Sequence, residues 1–269
     1  KAFEWYSKAA AQGDPSAQRA LGLMYVNGRG VQKDDVKAFE WFLKAAAQGD
    51  PSAQNNLGIM YEYGRGIQKD DVKAFEWYSK AAAQGDPSAQ RALGLMYVNG
   101  RGVQKDDVKA FEWFLKAAAQ GDPSAQFNLG EMYEYGLGVQ KDDVKAFEWY
   151  SKAAAQGDPS AQFNLGLMYL NGQGVQKDDI KAFEWYSKAA AQGDPSAQRA
   201  LGLMYVNGRG VQKDDVKAFE WFLKAAAQGD PSAQNNLGIM YEYGRGIQKD
   251  DVKAFEWYSK AAAQGDPSA

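Results

Sequence analysis

The sequence predicts an all-α solenoid of helix-turn-helix repeats, on three observations. A 36-residue unit, KAFEWYSKAAAQGDPSAQRALGLMYVNGRGVQKDDV, begins at Lys1 and restarts at Lys37, Lys73, Lys109, Lys145, Lys181, Lys217 and Lys253, the last copy stopping at Ala269. All 8 tryptophans, all 8 prolines (Pro15 to Pro267) and all 7 methionines each occupy a single position of that unit. Within it, apolar residues recur at helical spacing between residues that start and stop helices. The chain therefore reads as one array over residues 1–269, not as one or two ordinary globular domains.

The second unit shows the logic of the first helix. Asp50 offers a carboxylate to free backbone N–H groups, and Pro51 occupies the first helical position, where a missing N–H costs nothing. The helix runs to Tyr63, Gly64 is its left-handed stop, and Gly66 keeps the turn open. At about 100° per residue, Ala53, Leu57, Met60, Tyr61 and Gly64 form one apolar stripe. Gly58 lies at its edge beside Gln54. An interior glycine costs about 1 kcal/mol relative to alanine, so its recurrence marks a place where a neighbouring helix comes close.

The second helix starts at the acidic pair Asp70 and Asp71, whose charges suit a helix N-terminus, and stops near Gly85. Ala74, Phe75, Trp77, Tyr78, Ala81 and Ala82 lie on one side, and Lys73, Glu76 and Lys80 on the other. Each buried aromatic removes roughly 150–250 Å² from water. Two short helices cannot cover such a stripe alone, so neighbouring hairpins must stack on one another. The recurring Asp-Asp pair caps a helix and, without a third ligand, makes no metal site.

Composition narrows the function classes. Net charge is -3 and the pI is about 5.2, which gives no basis for polyanion binding. There are no cysteines and no histidines, which removes disulfides, thiolates, imidazole bases and most zinc or haem sites. The absence of cysteine fits either redox compartment, so localisation is unknown. No run approaches the roughly 20 apolar residues of a membrane span, and no signal peptide is visible. Neither a cofactor motif nor a nucleophile elbow occurs.

The recurring residues A-F-E-W-Y-S-K-A-A-x-Q-G-D-x-x-A-Q-x-x-L-G-x-M-Y-x-x-G-x-G-V-x-K-D resemble the Sel1-like repeat, a relative of the tetratricopeptide repeat. The resemblance covers essentially the whole chain. It implies a right-handed α/α superhelix whose first helices line a concave surface, and a scaffold or adaptor role in protein–protein contacts. Secreted bacterial members often carry a cysteine pair in each unit; this chain has none.

The letters that change fall on the first helix at the positions of Asn55, Asn56, Ile59, Glu62 and Tyr63, a single face opposite the apolar stripe. In the fourth and fifth units that face carries Phe127, Asn128, Glu131, Glu134 and Tyr135, then Phe163, Asn164, Leu167, Leu170 and Asn171. A purely solvated face rarely holds so many large residues. Either they pack onto the next first helix, or they line a groove for a protein or peptide. The groove reading makes Tyr63, Phe127, Tyr135, Phe163, Leu167 and Leu170 apolar contacts, and Asn128, Asn164, Glu131 and Glu134 orienting groups.

All eight arginines occupy two unit positions, on this face (Arg19, Arg91, Arg199) or in the turn after it. Glu62, Glu131, Glu134 and Glu242 share the face and would repel phosphates, which argues against nucleic acid. The turn arginines are expected to be solvated or paired with nearby aspartates. Glu131 and Glu134, at i and i+3, lack any accompanying catalytic group, so no enzyme is expected.

Residues 181–269 copy residues 1–89 letter for letter. Neither end shows a polar capping unit. The alternative to a scaffold is therefore an array that self-associates end to end, or an engineered repeat without a natural ligand.

Overall fold

Helix boundaries in the computed structural model, which describes residues 1–264, follow the local signals closely. The chain divides into two compact units, Lys1–Lys141 and Asp142–Ala269. The first holds α1 (Ala2–Ala11), α2 (Pro15–Asn27), α3 (Asp35–Ala47), α4 (Pro51–Tyr63), α5 (Asp71–Ala83), α6 (Pro87–Asn99), α7 (Asp107–Ala119) and α8 (Pro123–Tyr135). The second holds α9 (Asp143–Ala155), α10 (Pro159–Asn171), α11 (Asp179–Ala191), α12 (Pro195–Asn207), α13 (Asp215–Ala227), α14 (Pro231–Tyr243) and α15 (Asp251–Ala263). Among the described residues there is no strand, and no helix is long and apolar enough to cross a membrane. Pro267, the last of the repeated prolines, lies outside the described residues.

Even-numbered helices are the first helices of the repeat. On α4, Asp50 Oδ1 accepts from the Ala53 N–H at 2.7 Å, Pro51 is the first helical residue, and Gly64 closes the helix at φ 65°. Odd-numbered helices open differently: Asp70 Oδ1 accepts from the Lys73 N–H at 3.0 Å and Asp71 is the first residue of α5. The same bond from the Lys37, Lys109 and Lys217 N–H groups, more than any other influence, holds the carboxyls of Asp34, Asp106 and Asp214 below the usual aspartate value.

A depressed carboxyl stabilises the fold fully above its unfolded value, near pH ~3.9, and that contribution is lost as pH falls through the lower folded value. The midpoint of thermal unfolding, followed by circular dichroism, is therefore expected to fall below about pH 4. Asp34→Asn should flatten part of that fall.

Packing follows from which aromatic faces which neighbour. Tyr78 on α5 lies against Gly58 on α4, where an added Cβ would stand 2.5 Å from the ring. Phe75 turns to the other side and meets the Tyr97 ring of α6 edge-on, at 5.5 Å and 87°. Ala74, Ala81 and Ala82 are buried between them. Each inner odd helix of the first unit thus bridges two even helices, which is how stacking hides a stripe that one hairpin cannot.

Two expectations need correction. Trp77 does not share the deep position of Tyr78. It is half-buried, packs back onto the α3–α4 core of Ala38, Phe42 and Leu57, and carries the Lys80 ammonium over its outer face at 4.0 Å. One wheel position between the buried and charged sides suits a ring with one apolar and one cation-facing surface. Trp5 on α1 is exposed. Gly64, assigned to the apolar stripe, is an exposed cap.

Polar links not foreseen from the sequence also tie hairpin to hairpin. The buried Gln54 donates to the Ala46 carbonyl at 3.2 Å and accepts from Gln84 Nε2 at 2.8 Å. Gln162 and Gln192 repeat the side-chain pair at 2.9 Å in the second unit. At Gly66, φ is 66° and an added Cβ would run into the Asp35 carbonyl, so the turn after α4 rests on the backbone that opens α3.

Candidate partner-binding clefts between first helices

The residues of α4 that never change, Ala53, Leu57 and Met60, are buried; of the changing ridge, Asn55, Asn56 and Ile59 are half-buried, Glu62 is buried and Tyr63 is exposed. The ridge is neither sunk nor free. Within each unit it walls clefts between even-numbered helices, α4 and α6, α6 and α8, and α10 and α12.

In the first unit, a cleft of about 190 Å³ lies between α4 and α6, walled by Ile59, Glu62 and Tyr63 on one side and Arg91 and Leu95 on the other. At its floor the Tyr78 hydroxyl donates to Glu62 Oε2 at 2.6 Å, and Arg101 donates to Glu62 Oε1. Burial foremost, and then Glu62, pushes the Tyr78 phenol far above its ordinary value. Tyr63 stands at the rim, with the Arg65 guanidinium 5.6 Å from its ring centre.

A shallower cleft of about 80 Å³ between α6 and α8 takes in Asn128 and Glu131 together with Leu95, Val98 and Leu137. Phe127 and Glu134 are half-buried on α8, and Tyr135 is exposed. The charge of Glu134, then burial, then Glu131 raise the Tyr135 phenol.

The second unit has a larger cleft, about 230 Å³, between α10 and α12. Phe163, Leu167 and Leu170 form one wall, Arg199 and Leu203 the other, and Tyr186 lies between them with Arg209 nearby. The Phe163 ring is 5.6 Å from the Tyr186 ring at a tilt of 40°. Asn164, beside Phe163, is half-buried. The structure therefore gathers Phe163, Leu167 and Leu170 in one cleft, and Asn128 and Glu131 in another. Phe127 and Tyr135 belong to the first unit and Phe163 to the second.

The arginines are more committed than a solvated face suggests. On the ridge, Arg19, Arg91 and Arg199 reach the N-cap carboxylate of the next even helix, with Nε at 3.4 Å from Asp50, 3.7 Å from Asp122 and 3.5 Å from Asp230. Of the turn arginines, Arg209 pairs with Asp179 as expected, Nη2 to Oδ1 at 2.9 Å and Nε to Oδ2 at 3.2 Å, but Arg101 pairs with Glu62 instead.

Tyr186, Arg199, Leu203 and Arg209 were not singled out as site residues, although a signal for them exists. Sixteen residues beyond Glu62 and Glu242 stand Tyr78 and Tyr258, whereas sixteen beyond Val26, Val98 and Val206 stand Phe42, Phe114 and Phe222. Leu170 with Tyr186 is the mismatch.

Known proteins agree with this architecture. The Sel1 repeat model matches residues 1–14, 15–50, 51–86, 87–122, 123–158, 159–194, 195–230 and 231–266. The crystal structure of c5321, a protective antigen of uropathogenic Escherichia coli strains with an SLR fold, is similar at 42% identity and TM-score 0.91, over 98% of this chain and 56% of that one. A Sel1 repeat protein from Oxalobacter formigenes is similar at 39% identity and TM-score 0.80, over 98% of this chain and 77% of that one. The chain thus spans little more than half the length of the Escherichia coli antigen. The Cut9–Hcn1 hetero-tetramer of the APC/C shares the fold alone, at 14% identity and TM-score 0.56. No curated protein matches the chain. Eight matched units, helical pairs joined by Gly-x-Gly turns and aromatic stacking between hairpins lead to one conclusion: the chain belongs to the Sel1 repeat family.

Proposed function

We propose that the chain is a non-catalytic scaffold that takes a protein or peptide segment along the clefts between its first helices. Sel1 and tetratricopeptide-like repeats generally serve protein interaction. One observation supports this reading above others: Ala53, Leu57 and Met60, which recur in every first helix, are core, while most of the changing first-helix letters wall clefts that remain open. A scaffold needs a constant frame and a changeable surface, and aromatic and aliphatic groups beside arginine and asparagine are the composition of recognition surfaces.

Phe127→Ala combined with Phe163→Ala is expected to reduce capture of a partner in a pull-down at least about tenfold, while the circular dichroism spectrum stays unchanged. Unchanged capture would remove these two residues from the site.

A further inference from the structure

The cleft between α10 and α12 occupies the same register as the cleft between α4 and α6 and shares its tyrosine, ridge arginine and leucine, but Phe163 replaces Asn55 and, at the floor, Leu170 replaces Glu62. Tyr78 donates to Glu62, and Tyr258 donates to Glu242, each at 2.6 Å. Arg101 completes the first arrangement. Leu170 stands where those glutamates stand, yet Tyr186 keeps its hydroxyl. That hydroxyl belongs to a residue only 1% exposed, and it has no hydrogen-bond partner among the described residues. Where the ridge carries valine, the ring sixteen residues on is phenylalanine, so packing alone does not call for an oxygen there.

The charged groups around Tyr186 are cationic. Arg209, the register equivalent of Arg101, and Arg199 both line the cleft, and no carboxylate does. Arg209 uses Nε and Nη2 on Asp179, which leaves its Nη1 hydrogens available. Phe163, Leu167, Leu170 and Leu203 supply an apolar wall, and a volume of about 230 Å³ suits one inserted side chain rather than a helix.

Resting on the scaffold reading above, we propose that this cleft receives a glutamate side chain from a partner segment with apolar flanking residues. Its carboxylate accepts from the Tyr186 hydroxyl and the Arg209 guanidinium, as Glu62 does from Tyr78 and Arg101 within the chain. Its methylenes and neighbours lie on Phe163 and Leu203.

The test titrates the whole chain, by isothermal calorimetry, with the acetylated and amidated pentapeptide Ala-Leu-Glu-Leu-Ala and its glutamine counterpart. The glutamate peptide is expected to bind about tenfold tighter, a ratio typical of one charge-assisted contact. Tyr186→Phe should erase the ratio without lowering the melting temperature. Leu170→Glu, which supplies the carboxylate from the chain's own helix, should abolish binding and raise the melting temperature.

Equal binding of the two peptides, no binding of either, or a ratio that survives both substitutions would overturn the proposal. A partner whose capture depends on Phe127 and Phe163 but is indifferent to Tyr186→Phe and Leu170→Glu would also overturn it, and would leave the scaffold reading standing. If the glutamate preference holds while capture ignores Phe127 and Phe163, the broader placement fails instead.

Discussion

Replacing Gly58 by alanine is expected to destabilise the α4–α5 hairpin by about 2 kcal/mol, although alanine favours a helix by about 1 kcal/mol over glycine. The sign reverses because the new methyl would stand 2.5 Å from Tyr78 Cδ1 and Cε1, on a ring that is 1% exposed. The ring cannot move aside. Its hydroxyl is held by Glu62, and Ala81, Ala89 and Leu93 share its cluster. Combining Gly58→Ala with Tyr78→Leu should cost less than the sum of the two single changes, since a smaller side chain makes room. Amide exchange resolved by hairpin is the measurement to use, because opening in a repeat array is local. Faster exchange in α4 and α5 is the expected result, and slower exchange would mean the ring is not where the packing requires it.

The second large effect concerns Glu62. Glu62→Leu leaves the Tyr78 hydroxyl buried without an acceptor and frees Arg101, at an expected cost of about 2 kcal/mol. Most of that arises at the hydroxyl, because the Arg101 side chain is 35% exposed and solvent screens its pairing. Glu62→Gln keeps an acceptor and should cost about half as much. Adding Tyr78→Phe to Glu62→Leu should restore most of the loss, because it recreates the match of aliphatic ridge residue with phenylalanine seen at Val98 and Phe114. Chemical denaturation of these three variants, with Tyr78→Phe alone as the fourth, measures the cycle. A neutral Glu62→Leu would show that the hydroxyl reaches water and that its pairing is dispensable.

Much of the fold was legible because its signals are local. Asp50 with Pro51, the stop at Gly64 and the close approach at Gly58 each need only a few residues of context, and each lies where spacing puts it. Trp77 was misplaced because its wheel position borders both faces, and only the preceding hairpin decides which way the indole turns. The partners of the ridge arginines were hidden for a related reason: Arg91 meets Asp122 in the next unit, a contact that no intra-helical pattern encodes. Of the candidate site, the ridge was legible as a face, but its division into separate clefts was not, because clefts depend on how two even helices are spaced. The Tyr186 mismatch needs no structure to find, only a comparison of letters sixteen apart; structure is needed to show that the oxygen is orphaned.

The alternation of glutamate–tyrosine with valine–phenylalanine pairs also bears on assembly fidelity. Hairpins this alike could dock out of turn. A chain that skipped one hairpin would set a carboxylate against a phenyl ring, or a phenol against an aliphatic, and strand a polar atom away from water. A skip of two would bring like pairs back together. Where the alternation holds, on either side of Leu170 and Tyr186, it works as a parity rule against joining hairpins out of turn by one.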